Sequence, residues 1–340
     1  MGKQAGGQSI LLTNRPQIEA FASVVGKKEG EGPLAAWFDQ IGEDTKFGQP
    51  SWEKAESRMQ ELALEHARRK AGIGNDQIDM LFAGDLLNQC VGSSFCLRDT
   101  GIPFLGLYGA CSTMAESLLL AGIAIDGEYA SRAAAMTSSH FAGAERQYRF
   151  PLSYGGQRTP TAQWTVTGAG CLLLRKNPGG KGPYLSSATI GRIVDLGVKD
   201  ANNMGAAMAP AAYDTIHAHF RDLSLRPEDY DLIVTGDLGE TGSRILCDLF
   251  HKDGIELKKR HFDCGCAIFD AKRQDVHAGG SGCGCSASTL CGYLLRQMQA
   301  GRYHRILFCA TGALLSPLST QQGESVPGVC HAVAIHAEGY

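Results

Sequence analysis

Short apolar runs alternate with longer stretches of helical periodicity along this chain, the pattern of a layered α/β protein. The stretch SWEKAESRMQELALEHARRKAG opens on Ser51, carries Trp52, Met59, Leu62, Ala63 and His66 at helical spacing and stops at Gly72, so it is predicted as a helix. A strand and turn follow in IDMLFAGDLLN. Much later a second helix, around PAAYDTIHAHFRDL, precedes YDLIVTGDLGE. The two strand-turn segments match, Asp79 with Asp231 and Gly84-Asp85-Leu86 with Gly236-Asp237-Leu238. The echo continues: Cys111-Ser112 lies sixteen residues before Gly127, and Cys285-Ser286 lies sixteen before Gly301. Helix, Gly-Asp-Leu turn, Cys-Ser corner, helix and strand in one repeated order predict two similar halves. The seam falls at KNPGGKGP, giving an N-terminal half over 1–177 and a C-terminal half over 178–340.

In FLGLYGACSTMAES an apolar strand runs through Gly109-Ala110 into Cys111 and then into a helix. Thr113 with Glu116 three residues later has the form of a capping box, which places the helix start at or just after Thr113. A helix N-terminus aimed at Cys111 would lower the thiol pKa and favour thiolate. Small neighbours on both sides suit close approach of a ligand. The ordinary alternative is a buried, inert cysteine.

Composition narrows the field. The 340-residue chain is 44% apolar with a net charge of −3, and its longest cationic patches, Arg68-Arg69-Lys70 and Lys258-Lys259-Arg260, are short. Nucleic acid is therefore not an expected partner. No signal-peptide core, lipidation box or apolar run of about 20 residues stands out, so no secretion signal and no transmembrane segment are expected. Twelve cysteines in such a chain read as reduced thiols. CGC occurs at Cys264/Cys266 and at Cys283/Cys285. Four thiolates could hold zinc, but structural zinc motifs leave two or more residues between paired cysteines, so no metal site is assigned.

A duplicated α/β half with a cysteine at a strand-to-helix corner resembles the thiolase superfamily, which includes the ketoacyl synthases. EGPLAAWFD, FAGDLLNQ, YGACSTMAES, GRIVDLGVKDANNMGAAMAPAA, GGSGCGCSA and ATGALLSPLSTQQGESVPGVCHAV resemble one branch more closely, the stage V sporulation protein AD family of spore-forming Firmicutes. The resemblance implies a five-layered αβαβα fold, binding of dipicolinic acid or its calcium chelate, and a place on the inner membrane of the forespore beside the integral proteins of the stage V A channel. It also implies a homodimer. Condensing relatives stabilise an oxyanion with a histidine and an asparagine or second histidine. Where the first is expected this chain has Asp237, and near the second it has Ser281, with His277 further upstream. A carboxylate beside a thiolate opposes its formation. No catalytic residue is assigned, and the competing reading is an acyl-CoA or acyl-carrier transferase using Cys111.

A flat dianion needs donors and positive charge. Helix N–H groups with Ser112 and Thr113 supply donors at the first corner, and Gly282 to Ser286 is expected to offer a second helix N-terminus. His140, Arg146 and Arg149, in SSHFAGAERQYRF, are the expected cations. Should calcium arrive with the ligand, Asp237 or Asp85 could supply oxygen. The candidate ligand-binding set is thus Cys111, Ser112, Thr113, His140, Arg146, Arg149, Asp237, Ser281 and Gly282, with no cofactor beyond calcium carried by the ligand.

Overall fold

A computed structural model describes residues 3–148, 158–177, 179 and 182–337. Ten of its strands form two five-stranded arrays of identical plan. The first runs, in spatial order, Gln17–Val25, Gly168–Arg175, Arg132–Ser139, Met80–Gly84 and Phe104–Leu107. The second runs Tyr184–Thr189, Gly328–His336, Arg305–Ala313, Leu232–Thr235 and His261–Asp263. In each array the first two junctions are antiparallel and the last two parallel. The arrays join edge to edge where Tyr184 pairs with Gln17.

The repeat extends to side chains. Asp79 Oδ2 accepts from the N–H groups of Ser131 and Arg132, at 2.7 and 2.9 Å. Its counterpart Asp231 Oδ2 accepts from His304 and Arg305, at 2.6 and 3.0 Å. Each carboxylate ties the start of its strand to the next parallel neighbour, satisfying amides that would otherwise lack partners.

Helices Thr113–Asp126 and Cys283–Thr289 lie between the two arrays, in contact with strands and with each other. Trp52–Ala71 covers the outer face of the first array, and Met204–Leu223 with Gly239–Lys252 covers that of the second. These are the five layers expected from the sequence. The middle helices are buried nearly all round, as a helix between two sheets must be; Met114, Ala115, Leu118, Ile125, Ala287 and Leu290 are sealed. The close fit needs small residues. A Cβ at Gly284 would stand 2.3 Å from the Gly168 carbonyl oxygen, and one at Gly170 would stand 2.5 Å from that of Ala287.

Candidate functional site

Cys111 follows the edge strand Phe104–Leu107 through a turn held by its own hydroxyls. Ser112 Oγ donates to the Gly109 carbonyl at 2.6 Å, and Thr113 Oγ1 donates to that of Ala110 at 2.6 Å while accepting from Gly109 N–H at 3.1 Å. Ala110 sits at φ 52°, a left-handed conformation that costs a β-carbon residue about 1 kcal/mol or more. The helix begins at Thr113, but the capping box does not form: the Thr113 hydroxyl serves the turn before it, and Glu116 Oε2 is buried without a partner. Both hydroxyls expected to face a ligand are thus occupied by the backbone of the corner.

The thiol is buried and hydrogen-bonded to Asp237, from the turn after strand Leu232–Thr235 of the other half. Asp237 also accepts from Gly282 N–H at 2.8 Å and Thr311 Oγ1 at 2.9 Å, while Gln163 Nε2 holds its carbonyl at 2.7 Å. Burial pushes the Asp237 carboxyl up to about 7, against the hydrogen bonds from Cys111, Gly282 and Thr311. Burial first, and then the charge of Asp237, hold the Cys111 thiol well above its ordinary range. The thiolate expected from the helix end is therefore overturned. Desolvation in this enclosed corner outweighs the dipole, which contributes only about 0.3–2 kcal/mol.

The second helix N-terminus is consumed by the same network. Gly282 takes φ 104°, open to glycine, and its N–H goes to Asp237; Gly284 N–H goes to Ser139 Oγ at 3.2 Å. Asp85, the counterpart of Asp237 in the repeat, bonds Leu87 N–H, Ser93 N–H and Ser93 Oγ at 2.7–2.9 Å. Neither aspartate presents an uncommitted pair of oxygens to calcium.

Cys111 and Ala110 open onto a cavity of about 280 Å³. Leu86, Tyr108, Met204, Leu314 and Leu315 supply much of its apolar wall, and Ser281, Thr165 and Glu145 its polar groups. Thr165 Oγ1 donates to Glu145 Oε1 at 2.8 Å. Of the expected site residues, Cys111 and Ser281 line the cavity, with Asp237 and Gly282 directly behind the thiol.

Two of the expected cations, His140 and Arg146, are placed elsewhere. His140 is buried, donates from Nε2 to the Thr45 carbonyl at 2.7 Å and is lowered by that burial, so it is neutral near pH 7. Arg146 pairs with Glu53 and stands 5.3 Å from the centre of the Trp52 ring. Arg149 lies outside the described residues. His277, expected on a strand, occupies a turn at φ 51° and faces Asp275 at 3.1 Å. The two CGC pairs do not converge: Cys266 is exposed while Cys264, Cys283 and Cys285 are buried, and among the described residues no group of three or more His, Cys, Asp or Glu side chains could hold a metal.

Sequence reasoning missed Glu145, Thr165, Tyr108 and Thr311. The signal for Glu145 was present in AERQY, where one step along a helix turns the side chain by about 100°. The helix Phe141–Tyr148 sends Glu145 to the cavity wall and Arg146 to Glu53.

Comparison with known proteins agrees with this architecture. The family model for stage V sporulation protein AD matches residues 6–336. Stage V sporulation protein AD of Bacillus subtilis (strain 168) is 44% identical over 337 residues, covering 99% of each chain. Among solved structures, 3-oxoacyl-[acyl-carrier-protein] synthase III from Aquifex aeolicus VF5 superposes with a TM-score of 0.58 at 13% identity, over 94% of this chain and 99% of that one. A single-residue variant of OleA from Xanthomonas campestris gives 0.61 at 13% identity, over 95% and 96%. The likeness to both is one of fold. Among the described residues no helix is long and apolar enough to cross a membrane.

Proposed function

Because the chain belongs to the stage V sporulation protein AD family, we propose that it is a dipicolinate-binding protein of spore formation whose thiolase-like fold carries no condensing activity. The observation that supports this best is the Cys111–Asp237 contact. A condensing enzyme needs a thiolate and, beside it, donors for an oxyanion. Here the thiol faces an acceptor that opposes its ionisation, and no histidine or asparagine lines the described cavity.

What remains is a small cavity, near the lower end of the ~300–1,000 Å³ common for ligand pockets. Its described lining includes one carboxylate, Glu145, and no lysine, arginine or histidine. The calcium chelate is neutral, and calcium takes six to eight ligands, of which tridentate dipicolinate fills three with two carboxylate oxygens and the pyridine nitrogen. Thr165 and Ser281 carry hydroxyl oxygens on the cavity wall, where Glu145 accepts from Thr165 Oγ1 at 2.8 Å. The proposed cargo is dipicolinic acid or its calcium chelate.

The edge strand Phe104–Leu107 is open on one side, with Leu105 54% and neighbouring Phe95 49% exposed. Pairing of this edge with a second copy supplies the homodimer, and integral proteins of the stage V A channel supply the hold on the inner spore membrane.

Titration calorimetry with dipicolinate, with and without one equivalent of calcium, tests the reading on wild type, Cys111→Ala and Glu145→Gln. Saturable binding of at least one of the two forms, weakened at least tenfold in Glu145→Gln, is expected. Absence of binding in both forms, or a Cys111 acyl adduct that turns over with acyl-CoA, refutes it.

A further inference from the structure

A second group of charged side chains lies on the opposite side of a short ribbon from the cavity. Strand Trp164–Thr165 pairs in parallel with Gly280–Ser281. Thr165 and Ser281 line the cavity, so the alternation of a strand turns Trp164 the other way. Phe141 stacks on the Trp164 ring at 3.9 Å and 10°, filling one face. Lys28 Nζ stands 3.7 Å and Arg158 Cζ 4.7 Å from the same ring centre, which leaves both cations the other face.

Two like charges held together over one ring repel. Arg158 Nη2 reaches the Asp275 carbonyl at 2.8 Å and its carboxylate at 3.3 Å, and His277 shares that carboxylate at 3.1 Å. The Asp275 side chain is 79% exposed, where an ion pair is screened. Arg158 Nη1 is sealed from solvent without an acceptor. Among the described residues Lys28 Nζ reaches the Asp275 carbonyl at 3.4 Å, near the limit of a hydrogen bond. Glu31 and the buried Glu29 also face Lys28. Gln274 Nε2 binds the Lys28 carbonyl at 2.7 Å, fixing the 270–277 loop against the turn that carries Lys28.

We propose that Lys28, Arg158 and the Trp164 face form a binding site for a phosphate oxyanion, separate from the cavity. Two adjacent cations, one with a planar fork of donors, match a tetrahedral oxyanion. Phosphate carried by a phospholipid headgroup and free phosphate present the same chemistry. The site does not depend on the ligand of the cavity.

The test uses the full chain with Trp37→Phe and Trp52→Phe, leaving Trp164 as the only one of the three tryptophans. Inorganic phosphate is titrated at constant ionic strength, with chloride as the control, and Trp164 emission is followed. In parallel the wild-type chain is sedimented with phosphatidylglycerol vesicles. A saturable emission change, with half-saturation moved at least tenfold in Lys28→Gln and in Arg158→Gln and unmoved in Lys199→Gln, is expected if free phosphate binds. Sedimentation lost in the same two variants assigns the headgroup as the source. Unchanged melting temperatures establish that the variants are folded. No saturable response to either probe, or a response insensitive to Lys28 and Arg158, overturns the site.

Discussion

Replacing Asp237 by asparagine should stabilise this protein, and by more as the pH rises. Its carboxyl titrates at about 7 in the folded chain against an ordinary value of 3.8, a rise of about 3 on the pH scale caused first by burial. At 1.36 kcal/mol per unit this is a cost of about 4 kcal/mol. The folded state keeps the proton up to about 7 while the unfolded chain releases it near 4, so over that window the folded state binds more protons. Stability is then fully present below the unfolded pKa and is lost as pH rises through the folded one. The introduced asparagine would escape that loss while keeping the network: its oxygen can accept from Gly282 N–H, and its amide can donate to Thr311 Oγ1, whose hydroxyl rotates. With an unfolding entropy of about 2.1 cal/mol/K per residue over 340 residues, about 4 kcal/mol corresponds to roughly 6 °C. Scanning calorimetry of both proteins from about pH 4.5 to about pH 8.5 should show melting temperatures that nearly coincide at the acid end and separate in favour of the variant to about 6 °C above pH 7. The same variant should alkylate faster at Cys111 above pH 7, read by peptide mass spectrometry after iodoacetamide, since the charge opposing the thiolate is gone. A separation constant across the range, or a variant less stable than wild type at pH 8, would refute the reasoning.

His219, buried between Thr189 Oγ1 at 2.8 Å and the Tyr230 hydroxyl at 2.7 Å, is lowered to about 3 by burial. Its contribution is present above the unfolded pKa near 6.5 and lost as pH falls, by up to about 1.4 kcal/mol per pH unit down to about 3; His219→Gln should flatten the acid limb of a melting-temperature profile. Gly284→Ala forces a Cβ to within 2.3 Å of the Gly168 carbonyl and 2.6 Å of Ser139 N, and should lower stability by about 1–3 kcal/mol in denaturant titration. Tyr108→Phe removes the hydroxyl that donates to Asn88 Oδ1 at 3.1 Å on the exposed rim of the cavity. Calorimetry should find ligand affinity in that variant within about threefold of wild type, because the ring that lines the cavity is kept.

The fold was legible because it is written twice. The Asp79/Asp231 match, made on two letters, identifies carboxylates with the same strand-tying role. The Cys111/Cys285 match transferred less well. An equal offset from the next glycine puts both cysteines near a helix start, yet the second helix begins at Cys283, and Cys285 is sealed inside its first turn with Sγ 3.6 Å from the Gly236 carbonyl. Sequence offsets preserve order along the chain but do not report which side of a helix faces a cavity. That limit explains the site errors together. Cys111 sits at the strand-to-helix corner, and its expected thiolate is opposed because the dipole is a local property of the helix whereas the opposing charge of Asp237 comes from a turn 126 residues away in the chain. Of the expected cationic loop, Arg149 lies outside the described residues; Arg146 and Glu145 are adjacent, and the docking of their helix against Trp52–Ala71 decides which of the two faces the cavity. A single step of helix rotation thus puts Glu145 on the cavity wall and turns Arg146 to Glu53, where the sequence had suggested an anion trap.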